Sequence, residues 1–163
     1  MRSTAVAVAN DNRGFEALTF GLQDEIFAID ADNVLEILDV IPVTEVPGAR
    51  RFVPGLINVR GKVVPLADLR VRFGMDCAEA TRDTRIIVME IDLADEAAMV
   101  GILADKVYEV TQIAGDAIES TPPIGMRWRS DFIRGIGKRG DDFIIIPDLK
   151  RIFAADQPVA GPK

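Results

Sequence analysis

The chain of 163 residues has no histidine and only one cysteine, Cys77. Without an imidazole it lacks the commonest general base and any phosphate-accepting ring nitrogen. An intrachain disulfide is impossible, and a Cys/His zinc site cannot be assembled. Cys77 stands in Met75-Asp76-Cys77-Ala78 with no basic residue within four positions, so nothing nearby lowers its pKa. It is expected to be a small, partly buried residue rather than a nucleophile. A phosphate-binding loop is missing too: Gly61-Lys62 is followed by Val63, not by a hydroxyl residue. No apolar run approaches the roughly 20 residues that span a bilayer. The run Ala5 to Ala9 falls short of the about 7–15 apolar residues of a signal-peptide core. A cytoplasmic protein is therefore expected, with no catalytic, metal or cofactor residues.

Positive charge is also scarce. The formal net charge is -7 and the sequence pI about 4.6. An acidic surface repels phosphate backbones and anionic headgroups, which disfavours nucleic acid and membranes and leaves other proteins as the natural partners. The basic residues are scattered apart from Arg50-Arg51 and the stretch Arg127 to Arg139. Hydrophobic residues, at 48%, are abundant enough for a packed core in one domain or in two small subdomains that share it.

The most informative feature present is an internal repeat. Ile29-Asp30-Ala31-Asp32-Asn33-Val34-Leu35-Glu36-Ile37 aligns with Ile102-Leu103-Ala104-Asp105-Lys106-Val107-Tyr108-Glu109-Val110, identical at five of nine positions. Phe52-Val53-Pro54-Gly55 answers to Phe132-Ile133-Arg134-Gly135, and Arg60-Gly61 to Arg139-Gly140. Asp68-Leu69-Arg70 with Phe73 then answers to Asp148-Leu149-Lys150 with Phe153. Matching blocks in the same order imply two pseudo-equivalent units, too long and too few for a solenoid. The expected folded region is 14–153, divided into subdomains 14–82 and 83–153, with 1–13 and 154–163 as loose tails.

Within each half the pattern is mostly short strands. Phe15 to Leu22 and Glu25 to Asp30 are separated by a turn at Gln23-Asp24, and Gly61-Lys62 is expected to turn between Ile57-Asn58-Val59 and Val63-Val64. Each half closes on one short helix, N-capped by Asp68 or Asp148, whose carboxylates can accept from orphan first-turn amides. Five or so strands with so little helix cannot cover an open sheet, so closure into small barrels is the economical solution. The fold class is all-β: two five-stranded barrels in a pseudo-twofold arrangement.

Two motifs leave alternatives open. In Val34 to Leu38 both strand faces are apolar apart from Glu36. Either the strand is covered on both sides, or its second face is a groove for a partner with Glu36 at the rim. Arg60 is either a solvated turn arginine or a guanidinium that forks onto Glu36 or a partner's carboxylate. A rival function, a small-molecule-binding or enzymatic barrel, would use the Asp30 and Asp32 carboxylates. The pair Asp141-Asp142 beside Gly140 reads as turn chemistry.

The string Pro54-Gly55-Leu56-Ile57-Asn58-Val59-Arg60-Gly61-Lys62-Val63-Val64-Pro65-Leu66-Ala67-Asp68-Leu69-Arg70 resembles the signature segment of the CheW family. The resemblance runs from about Phe15 to Phe153, with the acidic turn Asp92-Leu93-Ala94-Asp95-Glu96 as a departure. It implies SH3-like barrels and a non-enzymatic chemotaxis adaptor. Such an adaptor binds the regulatory domain of a CheA-type histidine kinase and the cytoplasmic helical tip of chemoreceptors, in the family with the receptor hairpin between the barrels. Glu36 and Arg60 match the family's partner-binding strand glutamate and turn arginine. The partner-binding set expected here is Val34, Glu36, Ile37, Asn58, Val59, Arg60, Gly61, Val107 and Glu109. Two similar barrels would also permit rings or arrays with the kinase.

Overall fold

A computed structural model describes residues 14–48, 51–119 and 130–155. In chain order these form β1 (Phe15–Leu22), β2 (Glu25–Asp30), β3 (Val34–Asp39), β4 (Thr44–Glu45), β5 (Gly55–Val59), β6 (Lys62–Ala67) and helix α1 (Leu69–Arg72). The order then repeats as β7 (Arg85–Leu93), β8 (Glu96–Ala104), β9 (Lys106–Ile113), β10 (Ile118–Glu119), β11 (Ile133–Arg139), β12 (Asp142–Pro147) and helix α2 (Leu149–Ala155). The expected tail residue Ala154 belongs to α2. Residues 1–13 and 156–163, Arg50 and the basic stretch at 127–129 lie outside the described residues.

The strands build two curled sheets, ordered β3-β7-β8-β6-β5-β4 (the first barrel) and β10-β11-β12-β2-β1-β9 (the second). Each has five longer strands plus one of two residues, so the expected five become six. The sheets also cut across the expected division at 82/83. Hairpin β1–β2 sits in the second barrel, where β2 pairs in parallel with β12, at Ile26 with Ile144. Hairpin β7–β8 sits in the first, where β8 pairs in parallel with β6, at Gly101 with Leu66. The two repeats have exchanged their leading hairpins. The physical reason lies in the residues: Ile86-Ile87-Val88-Met89 is apolar on both faces, and both must be covered.

Burial shows how they are covered. Ile86 and Val88 point into the first barrel with Ile57, Val59, Val64 and Leu66. Ile87 and Met89 point the other way, into a central core shared with Leu18, Phe20, Phe27, Ile29, Ile102 and Leu69. The second barrel has its own smaller core of Ala17, Ala28, Ile113, Ile144 and Ile146. The exchanged hairpins are therefore the wall between the barrels, buried on both sides. Covering such side chains supplies roughly 1.5–3 kcal/mol each.

The repeat is visible down to single bonds. The Asp68 amide donates to the Phe52 carbonyl at 2.8 Å, and the Asp148 amide to the Phe132 carbonyl at the same distance. Both aspartates then cap their helices, accepting from the Arg70 and Arg151 amides. Gly55 and Gly135 are the points where β5 and β11 pass close to β4 and β10. A Cβ at Gly55 would lie 2.4 Å from the Thr44 carbonyl oxygen, which only glycine avoids, and one at Gly135 would lie 2.7 Å from the Ile118 side chain. Arg72 has no cationic counterpart, since Ile152 takes its place, and its guanidinium lies 4.3 Å from the Phe52 ring centroid and 5.9 Å from that of Phe132.

Candidate functional site: two related faces

β3 is the terminal strand of the first sheet, and its side chains alternate. Val34 packs against the central core and Leu38 against the first-barrel core, while Leu35 and Ile37 on the other face are 51% and 41% exposed. The open reading of this run thus resolves: the second apolar face is uncovered. Between Val34 and Glu36 the register against β7 slips by one residue, which leaves Leu35 as the extra residue of a bulge. Bulges at sheet edges re-aim side chains and discourage edge-to-edge pairing.

Beside this strand rises the β5–β6 turn. Val59 pairs with Lys62, so the turn residues are Arg60 and Gly61, one position earlier than Gly61-Lys62. Both have positive φ, 52° and 85°, as a type I′ hairpin demands. The Asn58 side-chain oxygen locks the turn by accepting from the Gly61 amide at 2.8 Å. A left-handed conformation disfavours arginine, and here it aims the side chain back at β3. Arg60 Nε donates to Glu36 Oε2 at 2.9 Å and a terminal nitrogen to Oε1 at 3.1 Å. This fork holds the Glu36 carboxyl below its ordinary pKa and raises that of Arg60, in each case through the side-chain hydrogen bond first. Beneath the pair lies a cavity of about 220 Å³ lined by Leu35, Val59, Lys62, Val88 and Met99.

The nine expected site residues do not form one patch. Glu36, Asn58, Arg60 and Gly61 meet here, while Ile37 is exposed on the other face of β3. Val34 and Val59 are directed into packed cores, and Val107 and Glu109 belong to the second barrel, on β9. There the same architecture recurs. β9 is again the terminal strand, and its register against β1 again slips, between Val107 and Val110. Thr19 heals that bulge: its hydroxyl donates to the Glu109 carbonyl at 2.9 Å and accepts from the Glu109 amide at 3.2 Å. Tyr108 and Val110, 50% and 55% exposed, stand where Leu35 and Ile37 stand, and a cavity of about 400 Å³ is lined by Thr19, Ile26, Tyr108, Glu109 and Asp142. Val63 and Phe143 are also exposed, at matching places in β6 and β12.

The turns differ. Arg139 pairs with Asp142, so the second turn is Gly140-Asp141. Gly140, with φ 63°, occupies the place of Arg60, and Arg139 falls on the strand position of Val59. The alignment of Arg60-Gly61 with Arg139-Gly140 is thus one residue out of structural register. The second turn thus has glycine where the first carries its arginine, and Asp141 and Asp142 where the first has Gly61 and Lys62.

A third concavity, of about 520 Å³, lies between the barrels, floored by Ile29 and Met89 and edged by Asp30, Glu90, Asp148 and Lys150. Asp30 is occupied locally, its carboxylate accepting from the Asp32 amide at 2.9 Å to cap a one-turn 3-10 helix. Asp32 is exposed. Among the described residues no three Cys, Asp or Glu side chains are grouped to hold a metal ion. Cys77 is exposed rather than partly buried, and its thiol is pushed up, first by desolvation and next by Asp68. No helix among the described residues is long and apolar enough to cross a membrane.

Comparison with known proteins agrees with this architecture. Residues 16–157 match the family model of the CheW-like domain. The chain is 32% identical over 150 residues to the chemotaxis protein CheW of Rhizobium meliloti, covering 92% of this chain and 94% of that one. It is 28% identical over 155 residues to the chemotaxis protein CheW of Klebsiella aerogenes, covering 95% and 91%. The crystal structure of the scaffolding protein TtCheW from Thermoanaerobacter tengcongensis superposes with a TM-score of 0.76 at 32% identity, covering 91% and 95% of the two chains.

Proposed function

The chain belongs to the CheW-like family of chemotaxis scaffolds, and on that premise we propose that it couples chemoreceptors to a CheA-type histidine kinase without catalysing a reaction itself. The observation that carries this reading is the Glu36–Arg60 fork. A turn arginine in a left-handed conformation is locked against a strand glutamate beside the exposed apolar side chain of Leu35. Such a site offers a partner a planar charged group beside a hydrophobic anchor point, the composition of a binding hot spot.

In this proposal the first-barrel face docks the regulatory domain of the kinase, and the concavity between the barrels takes the helical tip of a receptor. The protein works at the cytoplasmic face of the membrane, held there by receptors, and its two barrels permit rings or arrays with the kinase. Lacking histidine, it neither accepts nor relays a phosphoryl group on an imidazole.

The test compares Arg60→Ala with the control Lys163→Ala in a pull-down against the kinase regulatory domain and a receptor cytoplasmic fragment, alongside a thermal melt. Arg60→Ala is expected to weaken capture tenfold or more and leave the melting temperature nearly unchanged. Equal capture by both variants refutes the interface, and a large drop in melting temperature assigns Arg60 to structure instead.

A further inference from the structure

The two barrels open at matching ends, and the repeat assigns each position around one mouth to a position around the other. Glu36, Lys62, Val88 and Met99 of the first mouth answer to Glu109, Asp142, Thr19 and Ile26 of the second. The first cavity, about 220 Å³, lies under the Glu36–Arg60 fork. At the second, Gly140 stands in the place of Arg60, so no side chain from that position covers it, and the cavity reaches about 400 Å³. The interior beneath is also less filled. Ala17 stands where the first barrel has Ile86, and Gly137 where it has Ile57. Ala28 for Gly101 and Ile144 for Val64 restore only a single carbon each. A small barrel filled by its own side chains leaves no room at its mouth, and one left short of them can hold a small ligand there.

The lining sets the chemistry of what fits. Ile26, Val107 and Ile144 are apolar. The Tyr108 phenol lies against β1 at Gly21, where a Cβ would come within 3.0 Å of the phenol oxygen. Glu109 and Asp142 line the same cavity and are exposed. Glu109, Asp141 and Asp142 outnumber Lys106 and Arg139 at this end of the barrel, whereas Arg60 and Lys62 outnumber Glu36 at the first mouth. The Lys106 ammonium stands 6.0 Å from the Tyr108 ring centroid, within reach of a cation–π attraction. We propose that the mouth of the second barrel binds a small organic cation with an apolar body, an alkyl- or arylammonium. The body lies on Ile26, Val107 and Ile144 beside the Tyr108 ring, and the ammonium donates to the Asp142 carboxylate. Apolar burial supplies the affinity and the charge-assisted bond selects the cation. The site is separate from Asp30 and Asp32, and it does not depend on the adaptor reading.

Phenethylammonium is the probe, titrated into the full chain and followed by amide NMR, with phenethyl alcohol and phenylacetate as its neutral and anionic counterparts. The cation is expected to shift the amides of Thr19, Ile26, Tyr108 and Asp142 saturably, and to bind roughly tenfold more tightly than either counterpart. Asp142→Asn should weaken the cation by roughly the same factor and leave the alcohol unaffected. Ile26→Phe, which fills the cavity, should weaken both. Thermal melts verify that the variants are folded, and if Ile26→Phe is not, the exposed change Asp142→Asn still decides. Equal binding of cation and alcohol, or tighter binding of the acid, overturns the ligand class. Shifts that do not saturate, or that fall away from the second-barrel mouth, overturn the site.

Discussion

The corners at the heads of α1 and α2 begin from the same backbone and end with different side-chain chemistry. Both start with an aspartate tethered to a phenylalanine carbonyl at 2.8 Å. At the α1 corner Arg70 is buried and grips both carboxylate oxygens of Asp68 at 2.9 Å. It also reaches Asp105 at 3.0 Å and the Ala78 carbonyl at 3.1 Å. Asp105 in turn accepts from the Gln23 amide, tying the β1–β2 turn to the same knot. At the α2 corner Lys150 is exposed, Asp148 pairs loosely with Arg151 at 3.5 Å, and the concavity between the barrels stays open. Duplication has therefore kept the scaffold and divided the labour: one corner is sealed for stability, the other left accessible.

Substitutions at matched positions can break or sharpen this contrast. Leu69 is fully buried whereas Leu149 is only partly so. Leu69→Ala is expected to cost about 4 kcal/mol in urea unfolding, and Leu149→Ala clearly less. Equal losses would show the corners to be equally sealed. Next in size, Arg70→Ala strands a buried carboxylate and should cost about 3 kcal/mol, while Lys150→Ala should be close to neutral in the same assay. A costly Lys150→Ala would mean that the second corner closes in solution.

The smallest effect concerns the turn tips, where only the first has an arginine. The Glu36 carboxyl titrates below its ordinary value of 4.5, held down by the Arg60 hydrogen bonds. A lowered folded-state pKa means that the pair's contribution is complete above the unfolded value and disappears as pH falls through the lower folded one. Carboxyl NMR of Glu36 should give a midpoint under 4.5 that returns toward it in Arg60→Ala. An unshifted wild-type midpoint would show that the fork is not held in solution.

Much of this architecture is legible in the residues themselves. The bounds of β1 and β2, the aspartate caps and the repeat all follow from local rules: period-two alternation, turn residues and orphan amides. Pairing across the chain does not. Alternation tells which face of β7 is apolar, and both are, but not that β6 and β3 will flank the β7–β8 hairpin. The exchange of hairpins is a long-range outcome of covering both faces at once. The same holds at the site, where Glu36 and Arg60 are marked by their motifs but the one-residue displacement at Gly140 depends on strand register. Tyr108 and Val110 resemble core residues until the terminal position of β9 is known.

The hairpin exchange also sets an order of events at the ribosome. β1 and β2 emerge before the other strands, yet the parallel neighbour of β2 is β12, the last strand of the second repeat, and the outer neighbour of β1 is β9. Neither barrel can close until the second repeat has been made, because the first repeat alone holds β3 to β6 without their β7–β8 wall. The nascent first half must therefore wait with unpaired edges and exposed phenylalanines. It is at this stage, before any partner is met, that the chain is most exposed to aggregation and most dependent on chaperones.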